Sequence, residues 1–105
     1  MVKYIDTKAN FDKILNDANG NLVVVYFTAT WCNPCKKISP KFEEMSDEFK
    51  DIIFYKVDVD NNQETSESVG ISCMPTFYFY KNRNKIDEFS GANEIELREK
   101  IIKNK

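Results

Sequence analysis

The chain has 105 residues, 42% of them apolar and 30% charged, with a formal net charge of −2. Charges of both signs are interspersed, which leaves no basic footprint for nucleic acid and no polybasic arm for an anionic membrane. The apolar run Leu22 to Phe27 is far too short to span a bilayer, so a soluble protein with neither kind of partner is expected.

Val2 to Ile5 reads as a short strand. Thr7 is placed to cap a helix whose Phe11, Ile14, Leu15 and Ala18 follow the i, i+3, i+4, i+7 spacing of one buried face, and Asn19-Gly20-Asn21 stops it. Leu22 to Phe27 is continuous and rich in β-branched residues, as suits a central strand covered on both sides. A second helix should begin at the cysteine pair and run to about Lys50 with Ile38, Phe42, Met45 and Phe49 inward; Pro40 predicts a kink in it. Ile52 to Val59 is the next strand, and Asn61 to Val69 a short polar helix ended by Gly70. Thr76 to Lys81 and Lys85 to Ser90 form a hairpin about Asn82-Arg83-Asn84. Asn93 can cap a last helix through about Lys103, with Glu96 placed for a capping box. The order β-α-β-α-β-α-β-β-α predicts an α/β fold, with parallel pairings from the strand–helix alternation and an antiparallel edge from the hairpin. One domain over residues 1–105 fits this length.

There are three cysteines and no histidine. An odd count, with two cysteines only three positions apart, does little to brace a fold and points to chemistry instead. The mixed, charged segment Met1 to Asp12 lacks the apolar core of a secretion signal, so a reducing, cytoplasmic compartment is expected. Cys32 follows directly on the buried strand, where a helix begins. Unpaired backbone N–H groups and the positive end of the helix dipole favour a thiolate there, and Lys36 adds positive charge. Pro34 suits the first turn, and Cys35 lies one helical turn from Cys32. Cys32 is thus the expected nucleophile on a disulfide, exposed and of low pKa, and Cys35 the sheltered resolving thiol that closes a reversible Cys32–Cys35 disulfide. A zinc half-site would need further ligands, which Cys73 alone cannot supply, so no metal is expected.

Phe27-Thr28-Ala29-Thr30-Trp31-Cys32-Asn33-Pro34-Cys35-Lys36 resembles the signature of the thioredoxin family. Pro40, Val57-Asp58-Val59-Asp60, Met74-Pro75-Thr76-Phe77 and Phe89-Ser90-Gly91-Ala92 extend the match over nearly the whole chain, and Cys73-Met74-Pro75-Thr76-Phe77 is closest to the eukaryotic cytosolic type. The resemblance implies the thioredoxin fold, a central mixed five-stranded sheet flanked by four helices, and a cis bond before Pro75. It also implies a substrate groove of Trp31, Met74, Pro75, Gly91 and Ala92. It further implies a protein-disulfide reductase with no bound cofactor. NADPH would act only indirectly, through a thioredoxin reductase, and the acceptors would be protein disulfides of the peroxiredoxin or ribonucleotide reductase type.

The chain departs from the family pattern at three places. Asn33 replaces a usual glycine between the cysteines, so Asn33 and Pro34 are expected to set the redox potential. Tyr26 stands where the family usually has a buried aspartate, and a phenol is a poor base near neutrality. Tyr26 is then a core aromatic, with Cys35 resolving more slowly or losing its proton through water or Lys56. Arg83 replaces a common turn glycine, with Asn82 and Asn84 expected to absorb the turn geometry. Cys73 reads either as a small, partly buried apolar residue or as a regulatory thiol that links two otherwise monomeric chains on oxidation. Beside a reductase, two alternatives stay open: an oxidase or isomerase of different poise, and a binding module with incidental cysteines.

Overall fold

The computed structural model describes residues 2–105. Among them the chain runs β1 (Lys3–Tyr4), α1 (Lys8–Asp17), β2 (Val23–Thr28), α2 (Asn33–Glu48), β3 (Ile53–Asp58), α3 (Gln63–Val69), β4 (Thr76–Lys81), β5 (Asn84–Ser90) and α4 (Glu94–Asn104), in the order expected. The strands form one mixed sheet in the order β1-β3-β2-β4-β5. Helical crossovers make β1, β3 and β2 parallel, while β4 runs antiparallel to both β2 and its hairpin partner β5.

All six residues of β2 are buried, because the sheet is covered on both faces. Val24 and Tyr26 point into a core with Ile38, Phe42 and Met45 of α2 and Leu97 and Ile101 of α4. Val23, Val25 and Phe27 point the other way, against Phe11 and Leu15 of α1 and Val69 of α3. The strand period of two thus feeds two cores at once.

The helix starts are chemically set. Thr7 Oγ1, Asn62 Oδ1 and Asn93 Oδ1 accept the N–H groups of Asn10, Thr65 and Glu96, caps that contribute about 1 kcal/mol each. Only half of the expected capping box forms, since among the described residues the Glu96 side chain returns no bond to Asn93. At its other end α3 stops at Gly70, whose φ of 79° is left-handed. Most boundaries shift from expectation by one or two residues, and two of the shifts have a visible cause. β1 is shorter because the Val2 N–H turns to the Glu43 carboxylate (2.9 Å). α2 ends at Glu48 because Phe49 leaves the helical region while its N–H still reaches the Met45 carbonyl. Pro40 sits within α2, exposed, and the helix continues past it.

The hairpin turn corrects a further expectation. The left-handed positions are Asn82 (φ 52°) and Arg83 itself (φ 69°), with Asn84 already in β5. A two-residue turn between right-twisted strands needs positive φ at both central positions. Arg83 therefore holds a conformation that costs an L-residue roughly 1 kcal/mol, partly offset by its bond to Asn16 Oδ1 (3.1 Å).

Candidate active site

β2 carries the chain to one end of the sheet, and Cys32, in extended conformation, is the capping residue of α2. Asn33 and Pro34 are the first two helical residues and Cys35 the third. The Cys35 N–H, one of the first-turn donors with no helical acceptor, donates to Cys32 Sγ at 3.2 Å. The two cysteines are joined in a disulfide, with their Cα atoms 5.3 Å apart. In this oxidised form Cys32 is only 4% exposed and Cys35 2%, so the attacking sulfur is far less open than the sequence suggests. On reduction the same N–H and the helix dipole favour a negative Cys32 sulfur. Asn33, Pro34 and Lys36 are all exposed at this mouth.

Tyr26 lies fully buried behind the cysteines. Its ring stacks on Phe77 (centroids 4.9 Å, 13° between planes) and leans on Phe42. Its hydroxyl donates to the Cys35 carbonyl (3.0 Å) and shares a hydrogen bond with Ser39 Oγ (2.8 Å). Burial pushes the phenol up from its ordinary value, so it cannot serve as a base near neutrality. Lys56 pairs with Tyr26 in sheet register, yet its ammonium is held elsewhere, 3.0 Å from Glu43 Oε2 and over the Tyr4 ring.

A second set of residues comes from the sheet's β4–β5 side. The Met74–Pro75 bond is cis, and Pro75 is buried directly before β4. Met74, half-buried, packs on the core that holds both cysteines. The Pro75 carbonyl accepts the Gly91 N–H at 2.9 Å, tying the end of β5 to this loop. Gly91 has φ 112°, a conformation that suits glycine alone, and Ala92 beyond it is exposed. Trp31, 62% exposed, is anchored separately: its Nε1–H donates to Asp60 Oδ2 (2.8 Å). Met74, Pro75 and Gly91 are thus joined by contact or hydrogen bond, whereas Trp31, in the loop between β2 and α2, is tied through Asp60 to the turn after β3.

Cys73 is a free, exposed thiol. Its sulfur lies 3.5 Å from Ser90 Oγ and 3.8 Å from Thr76 Oγ1. Hydrogen bonding with the Ser90 hydroxyl, and then with that of Thr76, holds it below the usual thiol value. It is exposed, not the partly buried apolar residue of one expectation, and it makes no bond to the cysteine pair among the described residues.

Several partners escape sequence reasoning. Ser39 lies four residues after Cys35, a helical spacing that could have pointed to it. Glu43 beside Lys56, and Asp60 beside Trp31, meet their partners only through the fold. Among the described residues no cluster of three histidine, cysteine, aspartate or glutamate side chains is placed to hold a metal ion. Nor is any helix there long and apolar enough to cross a membrane.

A family model described as Thioredoxin matches residues 2–103. A thioredoxin of Geodia cydonium is 57% identical over 106 residues, covering all of both chains. One from Ictalurus punctatus is 52% identical over 96% of each chain. Among solved structures, Fasciola hepatica thioredoxin superposes with a TM-score of 0.96 at 44% identity and full coverage of both chains. With a disulfide at the head of α2 and relatives matched end to end, the chain belongs to the thioredoxin family of thiol–disulfide oxidoreductases.

Proposed function

We propose that the chain is a protein-disulfide reductase in which Cys32 attacks and Cys35 resolves. The observation that carries this division is the Cys35 N–H donated to Cys32 Sγ at the start of α2, which stabilises negative charge on Cys32 and not on Cys35. Cys32 opens the substrate disulfide and holds one half as a mixed disulfide. Cys35 then displaces that half, and the Cys32–Cys35 bond re-forms. Trp31, Met74, Pro75, Gly91 and Ala92 present an extended substrate to Cys32, a role supported by the Pro75–Gly91 tie. Asn33, Pro34, Tyr26 and Lys56 tune the potential of the pair.

The family resemblance supports a cytoplasmic, single-domain monomer in electron transport, reduced by a thioredoxin reductase with NADPH as the distant donor. Protein disulfides of the peroxiredoxin and ribonucleotide reductase type are the acceptors. The exposed Cys73 thiol, its pKa lowered by its hydroxyl neighbours, links two such monomers under oxidation.

Added in catalytic amount, the protein should accelerate insulin precipitation by dithiothreitol well beyond the reagent alone. A rate equal to the reagent would leave only the binding-module reading.

A further inference from the structure

Between the start of α2 and the ends of β2 and β3 lies a solvent-open cleft of about 260 Å³. Cys35, Lys36 and Ser39 of α2, Thr28 of β2, Asp58 of β3 and Tyr4 of β1 contribute to its walls. A water molecule takes up roughly 30 Å³ in the liquid, so the cleft admits several. Cys35 itself is 2% exposed, and this cleft touches it from behind.

Resolution requires Cys35 to lose a proton, and the groups around it narrow the choice of acceptor. The Tyr26 hydroxyl is bonded to Ser39 and the Cys35 carbonyl. Lys56 and Glu43 hold each other, and Asp60 is engaged by Trp31. Lys36 is a cation and Tyr4 a phenol. Asp58 is the carboxylate that shares the cleft with Cys35. Its Oδ1 accepts the N–H groups of Asp60 (2.9 Å) and Asn61 (3.3 Å), and among the described residues Oδ2 makes no hydrogen bond.

We propose that Asp58 accepts, through water in this cleft, the proton that Cys35 loses while resolving the mixed disulfide. The proposal rests on Cys35 being the resolving thiol. In the step the Cys35 S–H bond breaks and its proton passes by water to the Asp58 carboxylate. The Cys35 sulfur then bonds to Cys32 Sγ, the bond from Cys32 to the substrate sulfur breaks, and the substrate leaves as a thiolate. The dithiol loses two electrons and the substrate disulfide gains them. The Ser39 hydroxyl, held by Tyr26, lines the path as a positioning group.

The test uses reduced protein carrying Cys73→Ser, so that only Cys32 and Cys35 react, and an aromatic disulfide that releases a coloured thiol. The first equivalent released reports attack by Cys32 and the second reports resolution by Cys35. Asp58→Asn keeps the Oδ1 acceptor that shapes the turn. It should slow the second phase by roughly tenfold and steepen its dependence on pH, leaving the first phase unchanged. Asp58→Glu, with a carboxylate of longer reach, should restore most of the second rate. An unchanged second phase in Asp58→Asn, or a Glu variant as slow as the Asn variant, would overturn the proposal. A parent protein that released one equivalent only would instead overturn the resolving role of Cys35, and the relay with it.

Discussion

Cys32→Ser is expected to bring insulin reduction down to the rate of dithiothreitol alone, a loss of at least about a hundredfold. The reason is chemical. The first step needs a sulfur that is anionic near neutrality and can share a covalent bond with another sulfur, and a serine hydroxyl is neither. Nothing else in the chain can substitute. Both sulfurs are nearly buried in the disulfide, 4% and 2% exposed, but the Cys35 N–H is donated to Cys32 Sγ and favours the anion on Cys32 alone, so Cys35 does not take over the first step. Cys73 is exposed and its pKa is lowered, but its polar neighbours are the hydroxyls of Thr76 and Ser90. It has no second thiol at hand to release a captured substrate. The variant should stay folded, because the Cys32–Cys35 bond closes a loop too small to constrain the chain. Insulin precipitation measured beside thermal unfolding checks both halves; substantial turnover by a folded Cys32→Ser protein would contradict the assignment.

Tyr26→Asp should have the largest effect on stability, about 3–5 kcal/mol of loss. Tyr26 is fully buried, stacked on Phe77 and tilted against Phe42. Aspartate would remove that ring, leave a void between two phenylalanines, and place a carboxyl among apolar side chains. Tyr26→Phe, which keeps the ring and loses only the hydroxyl bonds to Cys35 and Ser39, should cost only about 1 kcal/mol. The pH dependence has a definite sign. Burial would raise the new carboxyl's pKa above its unfolded value. The penalty should therefore be smallest below the unfolded pKa and grow as pH rises through and beyond it. Denaturant unfolding at several pH values measures this; a Tyr26→Asp protein as stable as Tyr26→Phe at neutral pH would refute the packing role of the ring.

The features legible in the sequence are those carried by local pattern. The run before the cysteines predicts a strand buried on both faces, and β2 is that strand. Thr7 and Asn93 predict helix caps, and both form. Cys32 and Cys35 announce their chemistry by position, directly after the strand and at the head of a helix. The illegible features depend on residues far apart in sequence. Sheet register sets Lys56 beside Tyr26, yet α2 brings Glu43 to the ammonium, so the expected proton route through Lys56 finds it already engaged. Trp31 meets Asp60 only because the end of β3 turns beneath it. The conformation of Arg83 escaped for another reason. The flanking asparagines are the better left-handed residues, but the pairing of Lys81 with Asn84 leaves Asn82 and Arg83 as the two turn positions. The cleft behind Cys35, with Asp58 in its wall, arises from the packing of four elements and has no signature in any one of them.

The assignment of labour between the two sulfurs is most directly tested by locating the bond that Cys35→Ser makes with a protein disulfide. Without its resolving thiol the variant should stop at the mixed disulfide. Peptide mapping by mass spectrometry under non-reducing conditions should then place the substrate on Cys32. An adduct on Cys73, or no covalent adduct at all, would contradict it.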